Sequence, residues 1–263
     1  MLLASVISVS AARPEVIVDL VLNSDFVSQV KSIDEFICRF NGSEINSEIV
    51  CDTLSRQSNI CALFNYEIDR GDMTEAEFRK MVHDFADTAV ECGVELKVTG
   101  SGMLAEANGS FSYGGENYPV TLVLQSEEME NDSERWAIAG IRGLTAAGVI
   151  DTVDYRAINP LEHELNFMTL DTTILSNSSK AFGYRSQNRP IDELSVFLAM
   201  IKTGNIKPGI IRDFTLHFID VPGFIFTVTR FPRRGANSGW LISALKRAND
   251  TEKQQYINQL LNL

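Results

Sequence analysis

The strongest constraint on how this chain can fold is a stretch that occurs twice. Tyr118–Gly143 reads YPVTLVLQSEEMENDSERWAIAGIRG, and Pro222–Arg247 reads PGFIFTVTRFPRRGANSGWLISALKR. Each begins with apolar residues at every second position, Val120, Leu122 and Leu124 in one and Phe224, Phe226 and Val228 in the other. Each then enters a polar turn and returns through Trp136 or Trp240 into a second apolar run, which is the pattern of a β-hairpin. These two tryptophans are the only ones in the chain. A ring of that size, with an N–H to satisfy, is expected to fasten each hairpin to its own core. The repeat predicts architecture, two related units, and no particular chemistry.

With 263 residues, 44% of them hydrophobic, the chain is long enough for two cores. Its net charge of -12 argues against a general nucleic-acid binder, which needs lysine and arginine to displace counterions from phosphate. The acidic excess lies in the first half, and the second half is close to neutral. The opening MLLASVISVSAA is apolar and ends in small residues, like an export signal without its basic start; a buried first strand or helix is the other reading. No run reaches the roughly 18 to 20 apolar residues of a membrane span. The expected division is a lead-in over 1–19, a first unit over 20–147 and a second over 148–263. Cys38, Cys51, Cys61 and Cys92 match no zinc or redox spacing, and read as buried thiols or, in an exported chain, as one or two disulfides.

Along the chain, Asn23, Ser24 and Asp25 are expected to cap a helix running to Phe40 and stopped at Asn41-Gly42. A short helix is expected near Ser47–Ser55. Thr74 with Glu77 forms a capping-box pattern opening a long helix that Gly93 ends after Cys92. From Val94 the period changes to two, with Asn108-Gly109 and Gly114-Gly115 as turn signals. The second half predicts helices over Pro160–Leu175 and Ile191–Thr203, a strand over Gly209–Asp220, the second hairpin, and a final helix from Asp250 with its cap near Thr251. Helices before strands, twice over, make an α+β class: two related units, each with helices packed on a curved antiparallel sheet.

The helices Asp25–Phe40 and Thr74–Cys92, the hairpin SFSYGGENYPVTLVL and the closing RWAIAGI together resemble the nuclear transport factor 2-like, cystatin-related superfamily. The resemblance spans most of 20–143 and, more weakly, 158–247. It implies a long helix lying in the concave face of a curved sheet. Its enzymes place an acid, a histidine or a tyrosine in the resulting cone, and no such set maps onto this chain residue by residue.

Glu162-His163-Glu164 is the sharpest polar cluster, with His163 as a general base and Glu162 or Glu164 as its orienting partner. The competing reading is a solvated face opposite Leu161, Leu165 and Met168. His83 with Asp87 one turn on reads as a surface pair. His217 alternates with Phe214, Leu216 and Phe218, and either lines a cavity or faces water. The run Glu127 to Glu134 reads as a solvated acidic turn, and Arg230, Arg233 and Arg234 as a basic turn able to meet carboxylates or phosphates of a partner. No Walker loop, dinucleotide fingerprint or G-x-S-x-G is present, so no cofactor or metal is expected. The leading expectation is a non-catalytic secreted or cell-envelope protein binding a small ligand or a protein partner. The alternative is a cone-fold isomerase or dehydratase using His163 or His217 for proton transfer.

Overall fold

The computed structural model describes residues 30, 32–43, 56–97, 103–130, 133–150, 178–189, 191–234 and 237–261. In chain order these form α1 (Ile33–Asn41), α2 (Arg56–Ala62), α3 (Glu75–Glu91), β1 (Leu104–Tyr113), β2 (Glu116–Glu128) and β3 (Glu134–Arg142). A 3-10 turn (Ser178–Tyr184), α4 (Glu193–Lys202), β4 (Ile206–Phe218), β5 (Phe224–Phe231), β6 (Gly239–Arg247) and α5 (Asp250–Leu261) follow. The class is α+β with antiparallel strands. The compact units do not follow the expected order of halves. One joins Met1–Val98 with Ile219–Arg247, the other Thr99–Phe218 with Ala248–Leu263, so a boundary at residue 147 falls inside the second.

The first unit is α1, α2, α3 and the β5–β6 hairpin. Its centre is aromatic. Phe85 of α3 has no exposure, and its ring lies 6.1 Å from Phe40, 5.9 Å from Phe64, 5.4 Å from Phe224 and 5.2 Å from Phe226, the last three edge-on. These spacings are those at which aromatic pairs add to plain burial. The capping box of α3 is formed as expected: the Thr74 side chain accepts from the Glu77 N–H and the Glu77 carboxylate accepts from the Thr74 N–H. Helix α1 begins later than expected, at the Ser32 cap. Val30 is the reason, since its N–H donates to Ser238 and its carbonyl accepts from Trp240, an extended bridge no helix could make. A Cβ on Gly239 (φ 89) would fall 1.9 Å from the Val30 carbonyl oxygen, so the bridge also requires that glycine.

The second unit is a sheet in the order β3-β2-β1-β4 with a helix on each face. Phe111, Val120, Ile141 and Ile206 face α4 through Phe197. Leu104 and Val123 face α5 through Leu260, with Tyr256, Ile257 and Leu261 beside them. Helix α5 starts at Asp250 as expected, and its cap is Asn249 in place of Thr251, because Asn249 and Glu252 exchange side-chain and backbone hydrogen bonds as a cap pair. Gly114-Gly115 makes the β1–β2 turn as expected, whereas Asn108-Gly109 makes none. There β1 runs straight on and its register with β4 shifts. A Cβ on Gly109 would meet the Ile210 carbonyl at 2.6 Å, so the glycine serves close strand approach.

Both expected tryptophan hairpins are present, as β2–β3 and β5–β6. Trp136 pairs with Ser126 and Trp240 with Arg230. The register slips at the same place after each tryptophan, where Leu124↔Ile138 gives way to Val123↔Gly140, and Val228↔Ile242 to Thr227↔Ala244. Neither tryptophan is a buried anchor; both are part-exposed. The anchoring belongs to the phenylalanines. Phe85→Ala is therefore expected to cost about 3 to 5 kcal/mol, and Trp136→Ala distinctly less, as measured by urea unfolding of the full chain.

Candidate functional site

Helix α3 carries two stripes. Met81, Phe85, Ala86 and Ala89 are buried in the first unit's core, while Glu75, Arg79 and His83 follow one another at four-residue spacing on an adjoining face. Phe78 and Val82, each 9% exposed, lie where the two stripes meet. This mixed stripe is one wall of a pocket of about 400 Å³. Cys61 of α2 and the segment after it, with Phe64, Asn65, Tyr66, Ile68 and Arg70, form the rest.

The segment is held in place by the turn of the β5–β6 hairpin. Arg233 Nη2 donates to Asn65 Oδ1 at 2.6 Å, Nη1 to Glu67 at 2.8 Å, and Nε to the Asn237 carbonyl at 2.6 Å. Asn237 in turn donates to the Phe64 carbonyl at 2.8 Å and accepts from the Tyr66 N–H at 2.9 Å. Asn65 is 94% buried, and its amide oxygen, bonded by Arg233 and by the Glu67 N–H, fixes the chain direction at the pocket floor. On the β6 side, the Asn65 N–H donates to Ile242 and the Ile242 N–H to Leu63.

The pocket mouth is charged. Glu75 accepts from Arg79 Nε at 3.1 Å and Nη2 at 2.5 Å, and Arg70 Nη1 lies 3.7 Å from its other oxygen. The bond to Arg79, then the charges of Arg79 and Arg70, hold the Glu75 carboxyl below the usual carboxylate range. Deeper in, Cys61 Sγ is 4.0 Å from His83 Nδ1. Burial first, then the nearby Asp87 carboxylate, push the Cys61 thiol up, so it stays protonated at neutral pH. Cys38, Cys61 and Cys92 are free thiols.

The second unit buries a polar group of another kind. His217 of β4 is 3% exposed; its Nδ1 is hydrogen-bonded to the Tyr256 hydroxyl of α5 at 2.7 Å. Nε2 lies 3.4 Å from Glu106 Oε2 without an aligned hydrogen bond among the described residues. Glu106 is itself paired with Arg142 of β3. Burial first, then the positive charge of Arg142, lower the His217 pKa to about 4. Glu106 acts in the opposite direction, but its charge is already engaged by Arg142.

The expected site residues fall as follows. His163 and Glu162 lie outside the described residues. His217 turns inward under α5, and Phe214, which alternates with it on β4, is 44% exposed. Arg233 is committed to the pocket floor within its own unit, while Arg230 and Arg234 remain exposed. Arg70, Glu75 and Arg79 were not singled out from sequence; the signal was present in α3 as charged residues interleaved with Phe78 and Val82 on one face. No family model matches the chain, and neither a curated protein nor a solved structure matches it. Among the described residues, no group of three or more His, Cys, Asp or Glu stands close enough to hold a metal ion, and no helix is long and apolar enough to cross a membrane.

Two outcomes follow from this geometry. Arg233→Ala is expected to lose about 2 kcal/mol in denaturant unfolding, because it strands partly buried acceptors, and Arg234→Ala to stay within about 0.5 kcal/mol. For His217, the folded pKa lies below the unfolded value of 6.5. The unfolded chain thus binds the proton better, and stability falls as pH drops from about 6.5 toward 4. The loss attributable to this residue is about 3 kcal/mol once both forms are protonated. Unfolding measured at a series of pH values in the chain and in H217Q checks it; the variant should lack that part of the slope.

Proposed function

We propose that this chain is a non-catalytic binding protein that takes a small, partly apolar ligand into the pocket of its first unit. The observation that carries the reading is the pocket itself. Its volume of about 400 Å³ lies within the range of small-molecule sites, and Phe64, Ile68, Phe78 and Val82 give it apolar walls with a few polar groups at one end. Its floor is braced from the β5–β6 turn by the Arg233 and Asn237 bonds, which favours a preformed site over one that must order on binding. A catalytic role has less support, since the thiol that lines the pocket, Cys61, is held protonated by burial and by Asp87.

Nile red, an uncharged dye whose emission rises in apolar surroundings, tests the reading. A single saturable site is expected in the full chain. Filling the pocket from either wall, with Val82→Trp or with Ile68→Trp, should remove it while far-UV circular dichroism stays unchanged. Equal dye binding in the chain and in both folded variants would place the apolar site elsewhere and end the proposal.

A further inference from the structure

The mouth of the pocket holds two guanidiniums and one carboxylate. Arg79 and Arg70 both turn to Glu75, one on each of its oxygens, and all three side chains line the cavity. Five N–H donors on each guanidinium face two carboxylate oxygens, so Glu75 leaves most of that capacity unused and the trio one positive charge in excess. Glu75 and Arg79 are also the more exposed pair, at 58% and 73%, so water already competes for their contact. Arg70 is more sheltered, at 38%, and its 3.7 Å approach to Glu75 is too long for a hydrogen bond. Immediately below this charged rim the lining becomes apolar, at Phe78 and Val82 on one wall and Phe64 and Ile68 on the other. A cavity apolar at its base and cationic at its mouth matches a molecule of the same polarity.

From this arrangement we infer that the ligand is an amphipathic carboxylic acid, its hydrocarbon part against Phe64, Ile68, Phe78 and Val82 and its carboxylate on Arg70 and Arg79, in competition with Glu75. The inference rests on the pocket being the ligand site. Arginine suits this task because its planar fork can grip a carboxylate through two parallel bonds, and such bonds gain strength beside a surface that excludes water. Glu75 then acts as an internal stand-in: it keeps the two guanidiniums converged when the pocket is empty and yields one of them when an acid enters. Removing it should strengthen acid binding, which is the reverse of what a supporting residue would do.

Titration of the full chain with sodium decanoate and with 1-decanol, by isothermal calorimetry below their aggregation concentrations, separates the two ideas. Decanoate is expected to bind about tenfold more tightly than decanol, a difference that doubling the salt concentration reduces. R70Q and R79Q should bring decanoate down to the decanol level and leave decanol unchanged. E75Q should tighten decanoate about threefold, again with decanol unchanged. Equal affinity for the two probes, or a decanoate affinity unmoved by the arginine and Glu75 variants, overturns the carboxylate inference while leaving the pocket as a binding site. Binding of neither probe, or binding that persists in both Val82→Trp and Ile68→Trp, overturns the pocket reading and the inference with it.

Discussion

The first unit depends on one ring. Phe85 touches phenylalanines from α1, from the segment after α2, and from β5 at two positions, so it ties α1, that segment and β5 to α3. The rotation of α3 about its axis is thereby fixed. With 3.6 residues to a turn, placing Phe85 inward leaves the direction of Glu75, Arg79 and His83 no freedom. The pocket wall is in this sense a consequence of the core. A helix packed through a loosely fitting aliphatic stripe could roll by several degrees, whereas a cluster of edge-on rings at 5 to 6 Å has few equivalent arrangements.

The opposite wall is held by polar contacts, and the difference in chemistry follows from geometry. Residues 64–68 make irregular backbone beside buried apolar side chains, so their N–H and C=O groups need partners that no helix or ladder supplies. Asn237 supplies two of them from the hairpin turn, at Phe64 and Tyr66, β6 supplies two more through Leu63 and Asn65, and Arg233 holds the Asn65 and Glu67 side chains. Lysine could not replace Arg233 here. Three separate acceptors lie around it in a fan, which the fixed fork of a guanidinium meets and a single ammonium does not.

What the sequence made legible is what it encodes locally. The capping box at Thr74, the Gly114-Gly115 turn and both tryptophan hairpins depend on neighbours within a few residues, and all are found. The misses are tertiary. The helical pattern runs through Val30 without a break, and only the engagement of Val30 far along the chain, at Ser238 and Trp240, makes α1 start after it at the Ser32 cap. Asn108-Gly109 spells a turn, but a second strand passing close to Gly109 needs the same glycine. The alternation of β4 says that His217 and Phe218 face opposite ways; it cannot say that α5 covers the His217 side, which is why His217 is as buried as Phe218. The pocket was half legible, since the stripe on α3 is written in the sequence and the loop that completes it is not.

His217 shows what such burial implies in the second unit. The face under α5 is apolar at Leu104, Val123 and Leu260, and an apolar pair at 217 and 256 would suit it without leaving a ring nitrogen short of a partner. Hydrophobic contact alone is tolerant of sliding, because leucine against valine is nearly as good one turn along the helix. The Tyr256 hydroxyl on His217 Nδ1 is not tolerant: a shift of α5 by one turn, about 5 Å, breaks the bond and leaves two polar groups buried without partners. The pair therefore fixes the register of α5 on the sheet more than it adds to its affinity. Burial beside Arg142 keeps the imidazole neutral at neutral pH.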